Sequence, residues 1–167
     1  MSNAIFPGSF DPPTYGHLNL IQRSAYIFEH LHVVVAINPQ KRSFFSEDER
    51  IAMMQELCRD LPNVTICTWD TFVVEYARNH NIHIIIRGVR PLSDFALEFE
   101  QALYNHQLND KVETLFMPSA GKYSILRSSA LKEIALLGGD ISSMAPSIVT
   151  EMMQKKMESM KNSTYDT

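Results

Sequence analysis

Gly8-Ser9-Phe10-Asp11-Pro12-Pro13-Thr14-Tyr15-Gly16-His17 follows the apolar segment Ala4-Ile5-Phe6 and precedes an amphipathic pattern at Leu18, Ile21, Ala25 and Phe28. That order predicts a strand, a tight loop and a helix with a histidine in its first turn. A helix N-terminus carries unpaired N–H groups and the positive end of the macrodipole, so it attracts phosphate. Gly8 and Gly16 let backbone come close to a ligand, and Pro12-Pro13 stiffen the connection between them. The stretch predicts a polyphosphate held beside His17.

Outward from this loop, strands and helices alternate. Leu31–Ile37 is a Val-rich run suited to a strand buried on both faces. Ser46 and Glu49 form a capping box that opens a helix to about Arg59. Val64–Cys67 predicts a third strand, then Asp70 or Thr71 caps a helix to about Asn79. Ile82–Ile86 predicts a fourth strand, followed by Arg87-Gly88. Ser93 or Asp94 begins a helix to about Leu108, and Glu113–Met117 is a fifth strand. Ser128 or Ser129 starts a helix that ends near Gly138-Gly139, and Pro146 is the first residue of a last one. The pattern predicts α/β architecture: a Rossmann-like five-stranded parallel sheet with helices on both faces. One domain over residues 1–160 is expected, with a polar tail over 161–167 that frays.

Composition narrows the function. The 167 residues are 45% hydrophobic and 20% charged, with a formal net charge of −4. That balance argues against a nonspecific nucleic-acid binder or a membrane-surface protein, so an anionic ligand needs a local cluster of cations. Cys58 and Cys67 have no zinc-type spacing, and as two reduced thiols they fit a cytoplasmic protein. His30, His32, His80, His83 and His106 follow no metal motif and read as surface or satisfied core residues.

In open α/β sheets the ligand crevice lies beyond the carboxyl ends of the strands. Cations collect at those ends: Lys41 and Arg42 after the second strand, Arg87 and Arg90 after the fourth, Lys122 and Arg127 after the fifth, the last beside Ser128 and Ser129. An acidic protein that does this focuses positive potential on one crevice. Glu98 pairs with an arginine or faces solvent, and Trp69 with Phe72 serves as a pocket wall or as core.

The T-x-G-H loop early and the serine-serine motif opening a late helix resemble the HxGH nucleotidyltransferase superfamily, and within it the phosphopantetheine adenylyltransferase family. Phe6 to His17, Ile86-Arg87-Gly88-Val89-Arg90 with Asp94-Phe95 to Glu98, and Tyr123 to Ser129 with Lys132-Glu133 carry the resemblance in order. It implies transfer of AMP from ATP to 4′-phosphopantetheine, giving dephospho-coenzyme A and pyrophosphate. It also implies ATP contacts at Ser9, Phe10, His17, Gly88, Val89, Arg90, Glu98 and Tyr123, Ser124, Ile125, Leu126, Arg127, Ser128 and Ser129. Acceptor contacts are implied at Ser9, Lys41, Val73, Arg87, Tyr104 and Asn105.

His17 and Lys41 are the implied catalytic pair, stabilising the α-phosphoryl transition state. Arg90, Ser128 and Ser129 would hold the β- and γ-phosphates. Mg²⁺ delivered with ATP, a homohexamer and feedback by coenzyme A are further implications of the resemblance. Ser9 stands where threonine is common, Tyr123 where tryptophan is frequent and Arg127 where serine is usual. A nucleotidyltransferase with another phosphorylated acceptor, or a non-catalytic sensor of ATP or coenzyme A, are the alternatives.

Overall fold

The computed structural model describes residues 2–90 and 95–165. Five strands, β1 (Asn3–Gly8), β2 (His30–Ala36), β3 (Val64–Trp69), β4 (Ile84–Val89) and β5 (Glu113–Pro118), form one parallel sheet in the order β3-β2-β1-β4-β5. Six helices accompany it: α1 (Tyr15–Ile27), α2 (Glu47–Cys58), α3 (Val73–Asn79), α4 (Phe95–Leu108), α5 (Ser128–Leu136) and α6 (Ser147–Tyr165). The expected Rossmann-like sheet is the one observed.

Alternation of side chains along β1 builds a core on each face. Ala4 and Phe6 pack with Leu20 and Ile21 of α1 and Met54 and Cys58 of α2. Ile5 points the other way, into Val74, Tyr76 and Ala77 of α3 and Ile85 of β4. A third cluster joins Met53 of α2 to Leu131 of α5 and Val149 and Met153 of α6. The strand order reverses between β1 and β4, which opens the crevice at their carboxyl ends.

Several boundaries differ from the sequence reading. β4 begins and ends later than Ile82–Ile86, because Arg87 and Gly88 stay in register with Phe116 and Met117 of β5. Neither Asp70 nor Thr71 caps α3. Phe72 holds the cap position, and the Thr71 hydroxyl donates to Glu75 instead. α5 does begin at Ser128 as expected, with Arg127 at the cap position and the Ser128 hydroxyl used elsewhere.

Pro146 lies just outside α6, its carbonyl accepting from Val149 and Thr150. The polar end of the chain, expected to fray, is helical as far as Tyr165. The proposed caps Ser93 and Asp94 lie outside the described residues. Both cysteines are free thiols.

Candidate active site

Two pockets open at the carboxyl ends of β1 and β4. The smaller, about 270 Å³, is lined by Gly8, Ser9, Gly16, His17, Arg87, Gly88, Arg90, Glu98 and Ser119 among others. The larger, about 870 Å³, is lined by Ser9, Ala36, Phe72, Val73, Arg87, Gln101, Tyr104 and Asn105 among others. Pro7, Gly8, Ser9 and Arg87 border both. The loop leaving β1 is therefore the common wall of two adjoining spaces.

That loop is held in an unusual path. Phe10 is buried with φ of 47° and tucks its ring beneath Gly8, where a Cβ would sit 2.9 Å from the ring. Only glycine fits there without displacing Phe10. Gly88 meets a similar limit, since a Cβ would lie 2.3 Å from Leu20 Cδ1.

Asp11 is the anchor of the loop. Its carboxylate, 7% exposed, accepts the N–H groups of Phe44 and Phe45 at 2.9 and 2.8 Å and the Lys132 ammonium at 3.0 Å. Burial alone would push this carboxyl up, but the two amides and Lys132 outweigh it and hold its pKa below the ordinary value. The Ser128 hydroxyl donates to the Pro12 carbonyl at 2.7 Å, pinning the start of α5 to the same loop.

Thr14 caps α1 in a reciprocal box with His17. The His17 N–H donates to Thr14 Oγ1 at 3.3 Å, and the Thr14 N–H donates to His17 Nδ1 at 3.0 Å. A nitrogen that accepts a backbone N–H carries no proton, so the neutral ring bears its proton on Nε2. The ring meets Phe10 edge-on, with centroids 5.2 Å apart. Burial, then the charges of Arg90 and Arg87, push the His17 pKa down to about 4. At neutral pH, His17 is an uncharged hydrogen-bond donor in a cationic crevice.

Arg87 makes a two-pronged contact with Glu98 at 2.5 and 2.9 Å and also donates to the Pro7 carbonyl at 3.1 Å. The open question over Glu98 resolves to an arginine partner. Arg87 is thereby fixed at the border of both pockets, Nε and Nη2 on the Glu98 carboxylate and Nη1 on the Pro7 carbonyl with a second N–H to offer.

Of the other predicted site residues, Val73, Tyr104 and Asn105 line the larger pocket, as does Phe72 of the suspected apolar wall. Val89 ends β4, and Tyr123 lies in a 3₁₀ turn (Gly121–Tyr123) and stacks on Tyr15 with centroids 6.4 Å apart. Ser124 donates to the Gly121 carbonyl, Leu126 is buried, and Ile125 is 80% exposed. Arg127 is exposed at the α5 cap.

The structure brings the remaining predicted site residues into neither pocket: Phe10, Lys41, Val89 and Tyr123 to Ser129 all lie outside both linings. Lys41 is exposed on the turn after β2 and lines neither pocket. Ser129 faces a groove between α5 and α6, with Arg42, Phe44, Lys132 and Lys156.

Sequence reasoning passed over Asp11 as an anchor and missed Arg50 entirely. Arg50 is 3% exposed and donates to the carbonyls of Ser9 at 2.9 Å, Ala36 at 3.2 Å and Ser46 at 3.4 Å. A signal was present: Arg50 takes a core-facing position of the helical repeat it shares with Met53, Met54, Leu57 and Cys58.

Comparison with known proteins identifies the family. The cytidylyltransferase-like family model matches residues 5–134. A phosphopantetheine adenylyltransferase from Caldanaerobacter subterraneus subsp. tengcongensis is 48% identical, over 95% of this chain and 99% of that protein. Proteins of the same name from Dictyoglomus thermophilum and Treponema pallidum are 46% and 43% identical, over 93% and 92% of this chain and 95% and 96% of their own lengths. A solved structure from Vibrio parahaemolyticus, described as a nicotinate-nucleotide adenylyltransferase, superposes with a TM-score of 0.67 at 16% identity, over 94% of this chain and 95% of that one. At that identity the structural likeness speaks to the fold alone.

Proposed function

This chain belongs to the phosphopantetheine adenylyltransferase family, and from that premise we propose that it transfers AMP from ATP to 4′-phosphopantetheine. The observation that carries the reading is the pair of adjoining pockets with Ser9 and Arg87 on their shared border. The cationic lining of the His17 and Arg90 side suits the phosphates of ATP, and the larger, more apolar Val73, Tyr104 and Asn105 side suits the pantetheine arm.

In the reaction, an oxygen of the acceptor phosphate attacks the α-phosphorus in line. The bond from that phosphorus to the α–β bridging oxygen breaks, and its electron pair leaves with pyrophosphate. No general base is needed, because the acceptor phosphate is already ionised. The protein's task is to position two anions and stabilise charge on the equatorial oxygens. His17 Nε2–H donates to an α-phosphoryl oxygen, and the neutral ring keeps its proton throughout. Arg90 supports the phosphate tail of ATP, while Arg87, held by Glu98, faces the acceptor phosphate. Lys41, on its exposed turn, is the second candidate for the α-phosphoryl group.

Mg²⁺ bound to ATP would supply neutralisation of phosphate charge. The carboxylates at the crevice fit that assignment. Glu98 is engaged by Arg87, and Asp11 by Lys132 and two amides, so phosphate oxygens and water are the natural ligands.

Coenzyme A carries both the adenine nucleotide and the pantetheine arm, so it would span the two pockets and compete with both substrates. We propose that the chain self-associates, as the homohexamer the family resemblance implies, and α4, none of whose residues is buried, supports a subunit contact. Leu97, Phe99, Leu103, Tyr104 and Leu108 are 47–64% exposed there, an apolar face that a second copy would cover. No helix among the described residues is long and apolar enough to cross a membrane, and a cytoplasmic location is part of the proposal.

Pyrophosphate release from ATP with 4′-phosphopantetheine, nicotinamide mononucleotide, glycerol 3-phosphate or no acceptor tests the reading. Release with 4′-phosphopantetheine alone is expected. Release with another acceptor selects the first alternative, and tight binding of both substrates without pyrophosphate selects the sensor.

A further inference from the structure

We infer that Arg50 is a positioning residue for the reaction, acting through the backbone of Ser9 and Ala36 rather than by touching a substrate. The inference rests on the adenylyl-transfer reading given above. Arg50 is buried in the first turn of α2, and all three of its hydrogen bonds go to carbonyls: Ser9, Ala36 and Ser46. These belong to three separate segments, namely the loop leaving β1, the last residue of β2 and the cap of α2. Among the described residues no carboxylate pairs with it.

Burying an arginine on neutral carbonyls is costly, and an apolar residue at a core-facing helical position is ordinarily the more stable choice. What the guanidinium adds is geometry. One nitrogen, Nη1, spans the Ser9 and Ala36 carbonyls and sets the distance between the ends of β1 and β2. Both clamped residues line the larger pocket, and Ser9 also borders the smaller one. Drawing the Ser9 carbonyl toward α2 commits the orientation of the peptide planes on either side of Ser9, and with them the path of the wall between the substrates. The buried charge also sits behind that wall, adding positive potential to a crevice that holds two anions. In-line attack needs the two phosphates brought together within a fraction of an ångström, so a loosened wall costs rate.

Arg50→Lys keeps the charge but loses the rigid guanidinium plane that fixes Nη1 on the Ser9 and Ala36 carbonyls through Nε on the Ser46 carbonyl, whereas Arg50→Met keeps the apolar stem alone. For Arg50→Lys, the expected result is a tenfold or greater fall in kcat with ATP Kd within threefold of wild type. For Arg50→Met, a further tenfold rise in the acceptor KM is expected. Amide exchange over residues 8–11, followed by mass spectrometry without substrates, should quicken at least tenfold in Arg50→Lys while β2 is unchanged.

A fall in kcat that matches the loss of folded protein, with both KM values and loop exchange unchanged, overturns the inference. So does wild-type kinetics in Arg50→Lys, or its failure to fold, since either makes the residue dispensable or purely structural. If the wild-type protein releases no pyrophosphate with 4′-phosphopantetheine, the functional reading fails first. That outcome is distinct from an active wild type with an unaffected variant.

Discussion

The backbone N–H of Thr14 donates to Nδ1 of His17 across 3.0 Å, so the helix cap dictates which ring nitrogen carries the proton. A feature that completes the α1 N-terminus thus also aims Nε2–H at the crevice. Structure and chemistry share one hydrogen bond.

If Nε2–H meets charge that develops only in the transition state, His17→Ala lowers kcat by two or more orders of magnitude and leaves ATP affinity within a few-fold. Steady-state kinetics beside equilibrium ATP titration checks this. Retained wild-type turnover removes His17 from the mechanism.

Acid should destabilise the fold through histidines that are held neutral. His17 is pushed down to about 4 by burial and by Arg90 and Arg87, and His32 is lowered by burial and by His30 and His80. The unfolded chain binds these protons near pH 6.5 and the folded chain does not, so stability falls as pH drops below about 6.5. For His17 the loss reaches roughly 3 kcal/mol by pH 4. Denaturant midpoints from pH 8 to pH 4 should fall monotonically, less steeply in His17→Gln. A maximum near pH 5 would contradict the assignment.

Asp11 and Lys132 couple the loop after β1 to α5. Asp11→Asn should cost about 2 kcal/mol, because it leaves a half-buried ammonium without its partner. The double variant with Lys132→Met should recover about 1 kcal/mol of that in a mutant cycle. Strictly additive effects would mean the pair contributes nothing beyond its separate contacts.

Arg87→Ala should raise the KM for 4′-phosphopantetheine at least tenfold with ATP affinity changed less than threefold. An unchanged acceptor KM would move Arg87 to the nucleotide side. Glu98→Gln should reproduce part of the effect by freeing the guanidinium from its fixed orientation.

Leu103→Glu, at a half-exposed apolar position on α4, should lower the mass in solution if this face seals an interface. Sedimentation equilibrium reads the result. An unaltered mass would exclude α4 from subunit contact.

The alternation of apolar runs with capped amphipathic segments was enough to specify a parallel sheet, because strand and helix periodicities are local properties of the chain. The loop from Gly8 to His17 was legible for the same reason, since glycines, prolines and a cap residue act over a few positions. Relations across distance were not legible. The Asp11 carboxylate finds amides and an ammonium 33, 34 and 121 residues away. Arg87 reads as a loop cation after a strand, yet pairing with β5 draws it into β4, where Glu98 reaches it. Arg50 looks like a solvated charge until three separate carbonyls are seen to converge on it.

Local patterning thus specifies strands, helices and the phosphate loop, since each arises from neighbouring residues and their hydrogen-bonding needs. Which side chains face the crevice, which are spent on each other, and that Lys41 stands outside both pockets depend on how distant segments pack. Those outcomes follow from burial and desolvation, which no single segment can set alone.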